Sequence, residues 1–395
     1  MTTIETRQEP PRTFFLNDPV VRGIIYQLVV GILVVLFFVW IIQNTAANLA
    51  AQNKTTGFDF LWKTAGFDIS FTLFPWDRTS YYWQAFLVGL TNTLLVSVIG
   101  IIAATLIGFT IGVARLSSNF LVSRIATVYI ETIRNVPLLL QLFFWYFAVL
   151  KTMPAVRNSI ALPFDTFINQ RGLFVPRPIF DDRLLYVVIG FLVGIAIALV
   201  VRDWAKRRLE ATGQRFPVFI TGVAIVALVT AAVWIVSGAT VAFDPPVLNR
   251  FNFKGGLELP PEFVALAWGL SIYAGAFIAE TVRGGILAVN HGQTEAAESL
   301  GLKEGDRLRL VIVPQAMRVI VPPLTSQYLN LLKNSSLGAA IGYPELVNVF
   351  TGTTLNQTGR AIECIALTML VYLIFSLATS AIMNWYNARV ALVER

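Results

Sequence analysis

Charge is expensive in hydrocarbon, about 2.5–3.5 kcal/mol per group at the centre of a spanning helix. Ionisable residues inside apolar runs are therefore the first candidates for chemistry in this chain. Glu131 and Arg134 stand three residues apart, as do Glu280 and Arg283, a spacing that puts each acid and base on one helix face, where they can pair. Lys333 and Asn334 lie well within another apolar run. Intramembrane ions usually face the bundle interior or a water-filled path, so these groups are candidates to line one. The competing reading is structural: the two acid–base pairs fall near helix ends, where they can snorkel or pair internally to hold the fold. The aromatic run 143–147 reads as an interfacial belt rather than a ligand cage.

Bond-breaking chemistry is poorly supplied. The chain has one cysteine, Cys364, and one histidine, His291. An intrachain disulfide is excluded, and the usual zinc sets need several Cys or His side chains. A Ser-His-Asp site would have to use His291, which sits in a polar loop with no nucleophile elbow nearby. Cys364 reads as a small apolar residue in a span. No Gly-x-x-x-x-Gly-Lys-(Ser/Thr) phosphate loop is present, so ATP hydrolysis is not expected of this chain. No cofactor and no metal are expected on it.

The elements that must position these residues are set by composition. Hydrophobic residues make up 56% and charged residues 13% of the chain, against roughly 45–50% and about 25% in soluble domains. A bilayer core needs about 20 apolar residues per helix. Runs at 24–42, 184–201 and 216–236 hold no charged residue; 86–114, 127–150 and 362–387 carry some polar groups; 263–283 and 324–350 are interrupted. The expectation is an all-α polytopic membrane protein with about eight transmembrane helices. The first run is longer than a signal-peptide core of about 7–15 residues and follows a leader containing Pro10, Pro11 and Arg22, so it reads as an uncleaved helix. Pro137, inside the run 127–150, must free carbonyls of the preceding turn.

Lys and Arg set orientation. With a cytoplasmic N-terminus, the inside segments are 1–23, 115–126, 202–215, 284–323 and the tail, and they hold most of the basic residues, densest at Arg202, Lys206, Arg207, Arg208 and Arg215. Both termini then face the cytoplasm. Segment 151–183 is an exception, with Lys151, Arg157, Arg171, Arg177 and Arg183 outside. The net charge of +7 is explained by this bias, and nucleic acid is not expected as a partner.

Between two spans lies Glu295-Ala296-Ala297-Glu298-Ser299-Leu300-Gly301, followed by Val311-Ile312-Val313-Pro314. Thr294 is placed to cap a helix here, without a capping box, and Glu295 and Glu298 then fall in its first turns, where the macrodipole favours acids. Ala296, Ala297 and Leu300 form a small apolar face able to press into a shallow groove. Gly301 supplies a residue that can end the helix in a left-handed conformation. A second amphipathic stretch, 304–318, leads back to the membrane and is interrupted by Pro314. Local sequence alone fits a rigid knob and a solvated linker equally well.

The joint spacing resembles the coupling loop of ABC-importer permeases: Glu-Ala-Ala, three residues, Gly, nine residues, then aliphatic-x-aliphatic-Pro. Glu280-Thr281-Val282-Arg283-Gly284-Gly285 and Gly292-Gln293 are similar to the polar-amino-acid branch. So are Glu131-x-x-Arg134-x-x-Pro137-Leu-Leu-x-Gln141 and Leu332-Lys333-Asn334-Ser335-Ser336-Leu337. The chain length and Phe14-Phe15-Leu16-Asn17-Asp18-Pro19 resemble the long Q-type permeases of bacterial general L-amino-acid importers. The resemblance implies a type I permease core from 85–150 and 263–388, with the coupling loop at 284–323. Additions are an N-terminal span with an external segment (1–84), a helical hairpin inserted at 151–262, and a cytoplasmic tail at 389–395. It implies that Glu295, Ala296, Ala297, Leu300, Gly301 and Pro314 meet two copies of an ATPase subunit, which holds ATP and Mg. Glu131, Arg134, Glu280, Lys333 and Asn334 would line the substrate path. A second, related permease, a periplasmic amino-acid-binding protein and the bacterial inner membrane complete the setting. The alternative is an ion-coupled secondary transporter, which places binding at broken helices in paired repeats and gives the Glu295 loop no purpose. A membrane enzyme or scaffold would need polar groups clustered at one depth. The hairpin at 184–236 shows no site chemistry and reads as a packing or lipid-facing appendage.

Overall fold

The computed structural model describes residues 19–51, 57–214, 216–250 and 252–390. Segments 1–18, which hold most of the Phe14–Pro19 motif, and 391–395 of the tail lie outside the described residues, as does Arg215. In hydrocarbon every backbone polar group must be satisfied within the chain, and the apolar runs accordingly become helices. These are α1 (Pro19–Ala51), α2 (Tyr82–Ala114), α3 (Phe120–Asn135), α4 (Leu138–Phe143), α5 (Leu184–Thr212), α6 (Val218–Ser237) and α7 (Pro261–Leu287). Then come α8 (His291–Ser299), α9 (Glu304–Arg307), α10 (Val313–Asn334), α11 (Leu355–Thr358) and α12 (Ala361–Val390). Seven helices among the described residues are long and apolar enough to span, and α3 with α4 makes an eighth as a bent pair. The polytopic helical architecture stands as expected.

The centre of the bundle is the α2–α7 contact. Val88, Val96 and Ala104 of α2 and Leu266 and Ile278 of α7 are fully buried. Small residues let the two backbones approach, as at helix crossings in membranes: a Cβ added at Gly112 would lie 2.6 Å from the Ala279 carbonyl oxygen.

Pro137 does more than kink its span. α3 and the 138–150 stretch, whose last turns (Phe144–Leu150) are π-helical, meet at 106°. Val136, the residue before the proline, is extended at φ −101°, ψ 129°, as proline demands of its predecessor. The freed carbonyls of Ile133 and Val136 both accept from the Gln141 side-chain amide at 2.9 Å.

Two expectations are corrected by the seventh span. It runs Glu304–Ile341 rather than 324–350: α9, a π-helical turn (Leu308–Ile312), α10 and a 3-10 stretch (Ser335–Ile341) follow without a break. The amphipathic stretch 304–318 is thus the base of the span, and Pro314 does not interrupt it. Pro314 follows directly on the π-helical turn at the start of α10, a local adjustment of the kind that lets a spanning helix carry a proline. The segment after it turns back through a π-helical stretch (Val347–Thr354) and α11 before α12.

The long loops flanking the inserted hairpin are built of short strands. Their eight short strands are β1 (Ile160–Leu162), β2 (Thr166–Asn169), β3 (Gly172–Val175), β4 (Arg177–Phe180), β5 (Val241–Asp244), β6 (Val247–Asn249), β7 (Asn252–Lys254) and β8 (Leu257–Leu259). An antiparallel sheet runs β1-β2-β3-β8, with β4–β5 and β6–β7 as separate pairs. Leu173 faces Leu259 across β3 and β8, so the loops on both sides of the hairpin close on each other over Phe174 and Phe253. The segment after α1 is clasped to the bundle: Arg360 donates to Asp59 at 2.8 Å and the Gly57 amide donates to Glu363 at 2.6 Å.

Candidate functional site

The loop helix α8 is capped by Asn290, whose side-chain oxygen accepts from the Gly292 amide at 2.8 Å. Thr294, expected to be the cap, lies inside the helix. Glu295 and Glu298 therefore fall beyond its first turn, and each finds a side-chain partner instead. Glu295 meets His291 Nδ1 at 3.0 Å, and Glu298 pairs with Arg307. The far end matches the reading from sequence. Gly301 is left-handed at φ +74°; its amide donates to the Glu298 carbonyl at 2.8 Å, and that of Leu302 to the Ala297 carbonyl at 3.2 Å. These are the two bonds of a Schellman cap.

The apolar face divides in two. Ala297 is buried at 3% exposure while Leu300 is 81% exposed, and Ala296 is exposed beside it. Ala297 therefore anchors the helix to its own chain, leaving Ala296 and Leu300 outward. Gln315 donates to Gln293 at 3.2 Å. Together with Glu298–Arg307, this bond braces α8 against the base of the Glu304–Ile341 span. Pro314 is exposed at that base.

The charges near the end of α7 form a knot around a residue that spacing did not single out. Arg115, which follows α2, donates to Glu280 at 2.5 Å and to Glu131 at 3.1 Å. Arg283 donates to Glu280 at 2.7 Å, so that expected pair forms. The expected Glu131–Arg134 pair does not: Arg134 lies over the Phe277 ring, 5.1 Å from its centroid. Glu131 turns to Arg115 because α2 and α7 present a guanidinium between them, a nearer partner than its own helix offers. The knot joins α2, α3 and α7, and Glu280 is committed to two guanidiniums.

Lys333 and Asn334 stand apart from the knot, at the opposite end of the Glu304–Ile341 span. Lys333 is exposed and lines, with Ser336, Thr351, Thr368 and Tyr372, a cavity of about 620 Å³. It has no ion-pair partner among the described residues. Asn334 is half-buried where α10 gives way to the 3-10 stretch.

A buried polar seam near this cavity was not anticipated. Glu345, fully buried, accepts from the Val347 and Asn348 amides at 2.8 Å. Tyr343 donates to the Asn92 carbonyl at 3.1 Å, Asn92 donates to the Pro344 carbonyl at 2.9 Å, and the Leu346 amide donates to Thr93 at 3.0 Å. These bonds fasten the turn after Ile341 to α2. The signal available was Asn92-Thr93 in an apolar run and Tyr343-Pro344-Glu345 in another. Among the described residues no group of three or more His, Cys, Asp or Glu is placed to hold a metal ion.

Residues 98–392 match the family described as binding-protein-dependent transport system inner membrane component. The chain is 49% identical to the General L-amino acid transport system permease protein AapQ of Rhizobium johnstonii, over 96% of this chain and 95% of that protein. It is 48% identical to the Putative amino-acid ABC transporter permease protein YhdX of Escherichia coli, over 96% of each. With the Glutamate/glutamine/aspartate/asparagine transport system permease protein BztB of Rhodobacter capsulatus it shares 42% identity over 98% of this chain and 99% of that one.

Proposed function

The chain belongs to the family of binding-protein-dependent transport system inner membrane components, and from that premise we propose that it is the permease subunit of an ATP-driven importer of L-amino acids. The observation that carries the coupling role is the braced knob. α8 ends in a left-handed glycine, presents Ala296 and Leu300 outward, and is tied by Ala297, Glu298 and Gln293 to the base of a spanning helix. An ATPase subunit that takes Leu300 and Ala296 into a groove can move that span. Glu295 and Gly301 shape the knob, Ala297 anchors it, and Pro314 starts the helix that carries its motion.

The rest of the assembly follows from this role. Two ATPase chains hold ATP and Mg, a second related permease completes the path, and an amino-acid-binding protein docks from the periplasm. The chain lies in the bacterial inner membrane with both termini and the α8 loop in the cytoplasm, and cores of the type I permease kind are formed by 85–150 and 263–388. Lys333 is the best-placed charge to meet a substrate carboxylate, being exposed on a cavity and unpaired, with Asn334 beside it. Glu131 and Glu280 act from the knot, with Arg134 beside it over Phe277, as a latch beneath the path. Loaded receptor and ATP binding open the site outward; hydrolysis resets it inward.

The test is co-purification from native membranes, followed by reconstitution with receptor. Support is an ATPase chain and a second permease in the complex, with hydrolysis stimulated by loaded receptor and uncoupled by Leu300→Asp. A chain that moves amino acids alone, without ATP, overturns the reading.

A further inference from the structure

The α5–α6 hairpin takes no part in the path described above. Its helices touch through Gly190 against Val233 and Gly194 against Val226, and α6 buries no residue. Beside that seam runs a groove of about 720 Å³ lined by Phe191, Ala198 and Leu199 of α5 and by Phe219, Gly222 and Ala227 of α6. It extends from Val218 to Trp234, about 24 Å of helix at ~1.5 Å per residue. One leaflet of hydrocarbon, half of a ~30 Å core, is shorter than that. The hydroxyl on its wall, Thr230, is already given to the Val226 carbonyl at 2.7 Å, so the groove offers a polar ligand nothing.

One end is different. Arg202 and Val218 also border a second hollow of about 520 Å³, lined by Ala205, Lys206, Leu209 and Phe216. Arg202 is exposed and has no ion-pair partner among the described residues; its neighbours Asp203 and Glu210 do not reach it. Lys206 has only a 4.0 Å contact with Glu210. Arg208 lies 5.4 Å over the Trp204 ring, and Trp204 packs edge-on against Phe216. Trp234 lines the far end of the groove, and Trp204 follows Arg202 by two residues on α5, positions that suit interfacial tryptophans. A protein helix seated in the groove would cover Arg202 with no acid from this hairpin to neutralise it; a phosphate supplies the missing charge.

We infer that the hairpin is a binding site for an anionic phospholipid, with an acyl chain along the α5–α6 groove and the phosphate between Arg202 and Lys206. Basic pockets beside spanning helices hold acidic head groups in this way.

The test uses the assembled importer in phosphatidylcholine nanodiscs containing spin-labelled phosphatidylglycerol, and reads the motionally restricted fraction. Each basic group near a head group is worth about fivefold, so Arg202→Gln with Lys206→Gln should weaken retention about 30-fold. The charge-preserving pair Arg202→Lys with Lys206→Arg should retain the lipid, and Gly222→Leu, which fills the groove but leaves both charges, should lose it. The inference is overturned if the double Gln variant holds phosphatidylglycerol as the parent does. It is equally overturned if inorganic phosphate displaces the label, which would make the pocket a site for free phosphate. Efficient cross-linking of Phe219→Cys to the second permease in native membranes would give the groove to a protein and end the proposal.

Discussion

Replacing Gly301 by valine perturbs the α8 knob through the backbone alone. A Cβ at this position meets nothing within 4 Å, so no clash confuses the result, whereas φ is +74°. A side-chain-bearing residue in the left-handed region costs roughly 1–2 kcal/mol, and a β-branched one is a genuine outlier there. At 1.4 kcal/mol per tenfold, that is about a 5–30-fold shift against the capped conformation. Loss of the cap frees the Ala297 and Glu298 carbonyls together and lets Leu300 swing from the surface it presents. Asparagine tolerates the conformation best, so uptake per ATP hydrolysed should fall in the order Asn, Ala, Val, with the valine variant reduced at least fivefold. The assay is amino-acid uptake and phosphate release in proteoliposomes holding the whole assembly, with yield and membrane insertion of each variant as controls. Valine at parental uptake, inserted normally, would refute the coupling argument.

Four further outcomes are expected. Glu280→Gln leaves two guanidiniums around a neutral amide; a fully buried break costs about 3–5 kcal/mol. With Arg115, Glu280 and Arg283 side chains 18–29% exposed, the loss should be about 3 kcal/mol or less. A thermal midpoint unchanged in detergent would show that the knot holds nothing. Lys333→Met should raise the KM for uptake while Lys333→Arg restores it; parental kinetics for Met would remove Lys333 from the path. The Asp59 carboxyl is held below its ordinary value of 3.8, first by the Lys63 hydrogen bond and also by the Arg360 charge. A lowered carboxyl stabilises the folded clasp above its unfolded pKa and loses that contribution as pH falls through the folded one. Proteolysis of segment 57–81 should therefore accelerate only in acid, and Asp59→Asn should bring that rate to neutral pH. Pro322 and Pro323 lie inside α10 and withhold two backbone donors. Alanine at both should raise the thermal midpoint yet lower uptake per ATP, and unchanged uptake would deny the helix a flexing role.

The parts of this architecture that local physics dictates were legible. A left-handed helix end calls for glycine, and Gly301 provides it; proline frees carbonyls, and Pro137 breaks its span. What failed depended on distance. Arg115 is 16 residues from Glu131 and 165 from Glu280, while spacing rules see only partners within a helical turn, so they pair Glu131 with Arg134 rather than with Arg115. Strands of three or four residues show no readable alternation, and the whole inserted hairpin separates Leu173 from its partner Leu259. Asn290 and Thr294 are both good caps, so the start of α8 was decided by how the chain leaves α7. The base of the Glu304–Ile341 span carries Glu304, Arg307 and Arg309, which disguised it as a solvated helix. It is also markedly less apolar than α2.

The same contacts say which element can move. α2 and α7 meet backbone to side chain through Gly108 and Gly112 and are cross-tied by Arg115 and Glu280, so neither can slide without breaking packing and ion pairs together. The Glu304–Ile341 span also packs on α7, with Ile320 against Gly285, but it is irregular along its length. It is π-helical at its base, carries two prolines midway, and ends in a 3-10 stretch closed by a left-handed Gly342 at φ +83°. Each is a place where helical register changes at low cost. The span is held at one end by α8 and at the other by the Tyr343–Leu346 turn on Asn92 and Thr93. Under the proposed coupling, a force entering at Leu300 meets an irregular helix that packs beside a stiff pair. On that proposal the displacement is concentrated in the span that carries Lys333, with α2 and α7, held by the Arg115–Glu280 knot, as the frame against which it moves.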